Sequence, residues 1–588
     1  MRWKSLFRKK HAITNDLDTP LLRCLNLFDL ILLTVSGMIG SGIYVLTGVV
    51  AKDQTGPAII LANLLAAFAC LFGALCYAEF AARIPRAGSS YIFIYESIGE
   101  LLAFLVGFTT IVGGMTGLAV SARVWSTYFD ALFDNKINSF IVHHIIQWPN
   151  APAPFAKSPD LLAFSVTIFL TLALLIGLRN SKYLTNSLTI LNMSALLVIG
   201  ITGFILGDIH NYRPFAPFGI QNIFRGSSLL LYSYIGFEMA TIATEEAKNP
   251  SKTVPQATVI SLLIVTSLYS LAGASLTYLV PYKDIDSNSA FASAYKQSKW
   301  PQIGYIISIA IVCSAGGNLL SGTYGTIRTI YAMSTDGLLP SKLSYVSDGR
   351  HVPVVATCLV CVVIALLGTF FDIKDLIGFA DISALLSYMG VSIGLLIERY
   401  NHQTSYRIIL AREEDEDEEE EEIFELDNKK DNDTPEIELS NILQVDPFLT
   451  RIVRSCCHRF IPLIDKYLSP KISSILLLLI FIPNTVILAT FVIYIFNQHY
   501  LLHVIIVIIC IIINLIITFI FCLLKPRKYS KNLLFICPGI PLIPLINITI
   551  FIFLMIFQDA HDWLGYIGII FISIIIYFTY SFWHSKAR

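Results

Sequence analysis

This chain is short of charge. Only 14% of its 588 residues are Asp, Glu, Lys or Arg, while 55% are hydrophobic. Soluble domains carry roughly a quarter charged residues, so a mean hydropathy of +0.67 excludes that class and implies an integral membrane protein. An excess of one sign is missing too. The 41 basic and 42 acidic residues leave a net charge of -1, which by itself says nothing about nucleic acid and hides a strong segregation of the basic residues. No grouping of nucleophile, base and orienting residue is visible, and no metal-ligand cluster. Cys358 and Cys361 form a CxxC, but they stand in an apolar run without a second ligand pair, so plain packing is expected of them. The chain is therefore expected to be no enzyme, with no catalytic residue, metal or cofactor. A cleavable signal peptide is also lacking, because the basic start runs into a polar stretch from Thr14 to Pro20.

Long apolar runs are what the chain has. Windows of about 20 apolar residues fall at 28–50, 57–80, 101–124, 160–177, 187–207, 226–245, 256–279, 303–333, 353–371, 376–397, 473–496, 502–524, 535–557 and 562–583. The fold class expected is an all-α membrane protein with 14 transmembrane helices. An even count puts both termini on one side. The positive-inside rule makes that side cytoplasmic, since the inner segments then hold Arg2, Lys4, Arg8, Lys9, Lys10, Arg83, Arg86, Lys248, Lys252, Lys525, Arg527, Lys528 and Lys531. One soluble insertion, 400–470, contains ten consecutive acidic residues from Glu413 to Glu422. Such a block repels itself and buries no core, so a disordered linker is expected.

Two of the apolar windows carry glycine where a spanning helix should not want it. One reads SGMIGSGIYVLTG, from Ser36 to Gly48, and the other LYSYIGFEMATIATEE, from Leu231 to Glu246. Irregular backbone at membrane depth is tolerated only where protein or a polar cavity covers it. A break at Gly40, Ser41 and Gly42 would free backbone N–H groups at the start of a half-helix, where the positive dipole end suits a carboxylate. A half-helix C-terminus at the second break presents carbonyls that suit an ammonium group. Two broken helices in corresponding places of two repeats point to a transporter's binding site. The competing reading of the glycines is close helix packing.

Several longer motifs occur in a fixed order. RCLNLFDLILL (Arg23 to Leu33) leads into IGSGIYVLTGVVA (Ile39 to Ala51). GPA follows at Gly56, then CYAEFAARIPRAGSSYIF (Cys76 to Phe93), GELLAFLVGF (Gly99 to Phe108) and SARVWSTYFD (Ser121 to Asp130). After them come YIGFE with TEEAKNP (Tyr234 to Pro250), IRTIYAMSTDGLLP (Ile327 to Pro340) and PLIPLINITIFIFLMI (Pro541 to Ile556). The set resembles the cationic amino acid transporter family of the amino acid–polyamine–organocation superfamily, over nearly the whole chain outside the acidic loop.

The resemblance implies a five-plus-five inverted repeat core with discontinuous helices 1 and 6, plus four C-terminal helices. Its segments would be a cytoplasmic 1–27, a ten-helix core 28–399, the loop 400–470 and a bundle 471–588. Substrate would be bound by Ile39, Gly40, Ser41 and Gly42 at the first break, where Ser41 adds its hydroxyl. The second break would contribute Tyr232, Ser233 and Ile235, with Phe237 as an aromatic lid. Ser321, Gly322 and Thr323 in span 8 would form the side-chain subsite. Relatives usually have Asp after the GF of the second break, where this chain has Glu238. Some bacterial relatives carry a lysine in span 5 in place of a coupling cation. Alignment puts Asn192 there, and an amide carries no proton. Glu100, Glu238 and Arg328 complete the coupling or gating candidates. Glu79, Glu245 and Glu246 are expected in ion pairs with Arg83, Arg86 or Arg328, and Asp381 at the outer surface or vestibule.

The function so implied is sodium-independent, potential-driven carriage of arginine, lysine and ornithine by uniport or exchange. A carrier of neutral amino acids on the same fold and a non-transporting amino acid sensor are the alternatives. The outer segment 125–159 holds no cysteine, so no disulfide-linked heavy subunit is expected. The partners are an amino acid and the lipid bilayer, with no nucleic acid. The plasma membrane is the expected location, with a lysosomal or vacuolar membrane as the alternative.

Overall fold

The computed structural model describes residues 8–9, 23–84, 86–133, 136–144, 155–156, 158–175, 178–286, 289–298, 300–347, 353–401, 469–497, 501–524, 526 and 535–586. The acidic run 413–422 lies outside them. Among the described residues the chain is helical, with no strand beyond two isolated bridges, Leu25 with Ala247 and Phe155 with Phe371. Among the described residues nine helices are long and apolar enough to cross a membrane, and four shorter apolar helices accompany them.

In chain order the helices are α1 (Leu27–Met38), α2 (Ser41–Val50), α3 (Ile59–Arg83), α4 (Ser90–Ser97), α5 (Glu100–Ala131), α6 (Lys136–His144), α7 (Leu161–Leu175) and α8 (Leu178–Leu206). Then come α9 (Gly219–Leu230), α10 (Met239–Ile242), α11 (Pro250–Leu279), α12 (Ala290–Lys296), α13 (Pro301–Thr335), α14 (Val354–Phe370) and α15 (Ile373–Arg399). The chain closes with α16 (Pro470–Asn497), α17 (Leu501–Leu523), α18 (Leu542–Ile556), α19 (Ala560–Ile576) and α20 (Phe582–His584).

The chain divides into two compact units. One comprises residues 1–392 and 546–588, the other residues 393–545. In the larger unit α5 lies along α13, α3 along α11, and α8 along both α11 and α13. Short side chains permit this. Ala62, Ala66, Ala69, Cys70, Gly73, Ala74 and Ala78 line the buried side of α3, and small residues let helix backbones approach closely in lipid. In the smaller unit α16 pairs with α17, where the Asn484 amide donates to the Cys510 carbonyl at 2.9 Å and to Asn514 Oδ1 at 2.8 Å. Such bonds keep polar groups paired within an apolar helix pair.

α1 begins with a capping box. Asn26 Oδ1 accepts the Asp29 N–H at 2.9 Å, and Asp29 Oδ2 accepts the Asn26 N–H at 3.2 Å, so two otherwise unpaired donors are satisfied. It stops after Met38, and Ile39 and Gly40 leave the helical conformation before α2 starts at Ser41. The second interruption is longer. α9 tightens into a 3₁₀ turn at Leu231–Tyr234, Ile235 is extended, and Gly236 sits at φ +109° before α10. Only glycine adopts that φ without strain.

Candidate functional site

The two interruptions touch. A Cβ on Gly236 would meet the Gly37 carbonyl oxygen at 2.6 Å, and one on Gly42 would meet Ser233 Oγ at 2.6 Å and Ser233 Cα at 2.7 Å. The Tyr269 hydroxyl of α11 bridges them, lying 2.8 Å from the Met38 carbonyl oxygen and 3.1 Å from that of Ser233.

The two sides of the first break are treated differently. A helix C-terminus leaves four carbonyls without helical partners, and neighbouring side chains take up those of α1. Asn318 of α13 donates to the Ser36 and Gly37 carbonyls at 3.1 and 2.8 Å. Tyr269 takes that of Met38. The Ile39 carbonyl accepts from the Asn192 amide of α8 and the Ser314 hydroxyl of α13, both at 3.3 Å. By contrast, α2 opens on Gly40 with no side-chain cap. The acceptors of the break are satisfied by the fold, and the Gly40 N–H turns back to the Met38 carbonyl at 2.9 Å, while no side chain caps the start of α2.

That space is a cavity of about 110 Å³, and one water needs roughly 10–15 Å³ by this measure. Gly40 and Gly42 line it from the first break, and Tyr232, Ile235, Gly236 and Glu238 from the second. Gly113, Gly114 and Gly117 of α5 form one wall, with Asn318, Gly322, Thr326 and Thr329 of α13 and Ser383, Ser387 and Tyr388 of α15 around it. Glu238 is half-buried there. Its Oε2 accepts the Tyr388 hydroxyl at 2.7 Å and the Gly236 N–H at 3.1 Å.

Known proteins agree with this architecture. Residues 25–411 match the amino acid permease family, and residues 535–585 match the C-terminus of amino acid permease. Cationic amino acid transporter 4 of Mus musculus is 33% identical over 594 residues, which is 99% of this chain and 91% of that protein. The human protein of the same name is 37% identical over 401 residues, 68% of this chain and 63% of that protein. The branched-chain amino acid permease BcaP of Bacillus subtilis is 33% identical over 406 residues, 67% of this chain and 86% of that permease. The chain belongs to the amino acid permease family, among its cationic amino acid transporters. It is thus a multi-pass membrane carrier of amino acids.

The structure of this permease brings together six of the residues expected at the site from the sequence. Gly40, Gly42, Tyr232, Ile235, Gly322 and Glu238 all line the one cavity. Ser233 lies beside it, buried, with its hydroxyl oxygen unpartnered. The side chain of Ser41 lies outside the described residues. Ile39 turns its carbonyl to Asn192 and Ser314. Ser321 bonds back to the Asn318 carbonyl of its own helix at 3.3 Å.

Two candidates lie elsewhere than the cavity lining. Phe237, expected as the lid, is not among the residues that line the cavity. It is wholly buried, 4.5 Å from the Tyr388 ring and edge-on to Tyr77 at 5.5 Å, because the positive φ of Gly236 turns the chain towards α3 and α15. Asp381 is not at an outer surface, for α15 begins at Ile373 and carries it fully into the interior.

The remaining candidates hold the ends of helices. Arg328 is buried against Glu246, with Nη2 at 2.7 Å and Nε at 2.8 Å from Oε1. Glu79 lies 3.7 Å from Arg83. Glu100 is wholly buried and accepts from Tyr95, Tyr577 and Ser585 at 3.1, 3.0 and 2.8 Å. Asn192 is the acceptor of the Tyr44 hydroxyl and approaches Ser314 Oγ at 2.5 Å. Sequence reasoning missed Asn318, although a lone amide between small residues of an apolar helix was a visible signal. Tyr269 gave no signal at all.

Proposed function

We propose that this permease carries cationic amino acids such as arginine, lysine and ornithine by alternating access, as a sodium-independent uniporter or exchanger driven by membrane potential. The substrate carboxylate would sit on the uncapped N-terminus of α2, where backbone donors and the helix dipole favour an anion. The ammonium group would meet the carbonyls of the second break at Tyr232, Ser233 and Ile235. The observation that carries the cationic preference is Glu238, the one carboxylate among the described residues that line the cavity. Relatives named for cationic amino acids support it.

The wider architecture belongs to the same proposal. Fourteen spans would form a five-plus-five inverted repeat core over 28–399 and a four-helix bundle over 471–588, joined by the acidic linker 400–470. Both termini would face the cytoplasm, and the membrane would be the plasma membrane.

A carrier of neutral amino acids is the second reading. The wall formed by Gly113, Gly114 and Gly117 carries no charge, and a branched-chain permease is among the relatives. Uptake of labelled arginine, lysine, leucine and isoleucine by cells expressing the chain separates the two. A charge-assisted bond contributes about 1.5–3 kcal/mol. Glu238→Gln should therefore lower arginine uptake roughly ten- to a hundredfold and spare leucine. Uptake of leucine alone, unchanged in Glu238→Gln, would establish the neutral reading instead.

A further inference from the structure

At the end of the larger unit remote from Glu100, α15 and α19 bring a second polar cluster together. Asp375, His561 and Asp562 each offer a ligand atom, and these atoms lie within 4.8 Å of one another. His561 Nδ1 is 3.9 Å from Asp375 Oδ1. The arrangement follows from the register of α15. Asp375, Gly378 and Asp381 stand three residues apart along one face. The missing side chain at Gly378 is what admits the second helix, since a Cβ there would meet the Asp562 carboxylate at 2.2–2.4 Å. Asp562 thus lies over α15 between Asp375 above and Asp381 below.

Asp381 gives this cluster a further feature. It is 0% exposed, yet its Oδ1 has no hydrogen-bond partner, and Oδ2 has only the Gln558 amide at 3.4 Å. Asp562 is the charged group that acts on it. Two carboxylates drawn together over a third, itself buried and half-satisfied, are costly without a counter-charge. His561 supplies one only when protonated, and it reaches Asp375 rather than Asp381. Asp372 and Asp559 add further negative charge near the cluster, against Lys374.

We propose that Asp375, His561 and Asp562 bind a divalent transition-metal ion of the Zn²⁺ class, with Asp381 as the supporting carboxylate behind them. One imidazole and two carboxylates form a borderline donor set that suits zinc better than calcium or magnesium, which take oxygen ligands alone. Tetrahedral ligands about 2.1 Å from zinc stand about 3.4 Å apart, so modest side-chain rotation closes the observed spacing. His561 is 55% and Asp375 22% exposed at the side chain, which leaves a way in for the ion. The ion would clamp the start of α15 to α19. α15 also carries Ser383, Ser387 and Tyr388 of the cavity wall, so this site lies on the same helix as the carrier's cavity without sharing a residue with it.

The test is Zn²⁺ alone, titrated by calorimetry into the purified full-length chain in lipid nanodiscs, beside a thermal-unfolding scan. Wild type should bind one equivalent more than His561→Ala and be stabilised by it. Asp381→Asn should retain that site with about tenfold weaker affinity, because it removes a buried negative charge behind the cation. His561→Ala removes a half-exposed side chain and serves should Asp562→Asn fail to fold. Equal zinc stoichiometry and equal thermal shifts in wild type and His561→Ala would overturn the proposal.

Discussion

Gly42 and Ser233 meet where the two broken helices cross. The glycine's missing Cβ would stand 2.6 Å from the serine hydroxyl oxygen and 2.7 Å from its Cα. One of those atoms belongs to backbone and cannot rotate aside. The approach therefore joins the uncapped start of α2 to the unwound turn after α9, and both breaks depend on it.

Bulk at Gly42 should end transport. Gly42→Leu is expected to lower uptake more than about a hundredfold, because its side chain displaces Ser233 and fills the approach to the α2 N–H groups. Gly236→Ala should act in the same direction, since its φ of +109° strains any L side chain and the Gly37 carbonyl blocks the methyl group. Uptake per molecule, normalised by surface labelling, measures both. Normal uptake by well-expressed Gly42→Leu would remove the carboxylate site from the first break.

Asn192 should matter for geometry and not for protons. It joins Tyr44 of α2, the Ile39 carbonyl and Ser314. Asn192→Ala removes the acceptor of the buried Tyr44 hydroxyl, at about 1–3 kcal/mol, while the Ile39 carbonyl keeps Ser314, so uptake should fall about tenfold. An amide does not titrate, so wild-type uptake should stay within about twofold across roughly pH 5.5 to 7.5 and ignore sodium removal. Arginine uptake should carry inward current. Accumulation that persists at zero potential and collapses with the proton gradient would show proton coupling.

The Glu100 cluster predicts a stability effect far from the cavity. Three hydroxyls converge on this carboxylate, two of them from Tyr577 and Ser585 near the C-terminus. Tyr577→Phe should reduce stability by about 1–2 kcal/mol, and Glu100→Gln by about 3 kcal/mol, because an amide nitrogen turned towards hydroxyl donors leaves them unpaired. Thermal unfolding in detergent reads both. A Glu100→Gln variant as stable as wild type would show that the three contacts contribute nothing.

Deleting residues 411–432 should leave uptake per surface molecule unchanged, since ten successive carboxylates cannot bury a core. Slower turnover at equal surface density would assign the acidic run a part in the transport cycle.

How much of this was legible beforehand depends on the kind of residue. Apolar windows announce helices because a chain in lipid must satisfy its backbone internally, and most of the described residues in those windows are helical, the breaks at Ile39–Gly40 and Ile235–Glu238 apart. Gly40, Gly42 and Gly236 announced the breaks, since a residue without Cβ is the local requirement for irregular backbone. The partners of those breaks were not legible. Asn318, Tyr269 and Ser314 come from helices more than 200 residues away in sequence, and which face they present depends on how α11 and α13 rotate as they pack. The burial of Phe237 and Asp381 was decided in the same way. So were two of the three hydroxyl partners of Glu100, which lie almost 500 residues away. By itself the sequence determined where the backbone must be helical and where it must open. Only the tertiary structure decided which side chains satisfy the opened groups, because hydrogen bonds between helices are set by rotation and depth, which no local pattern encodes.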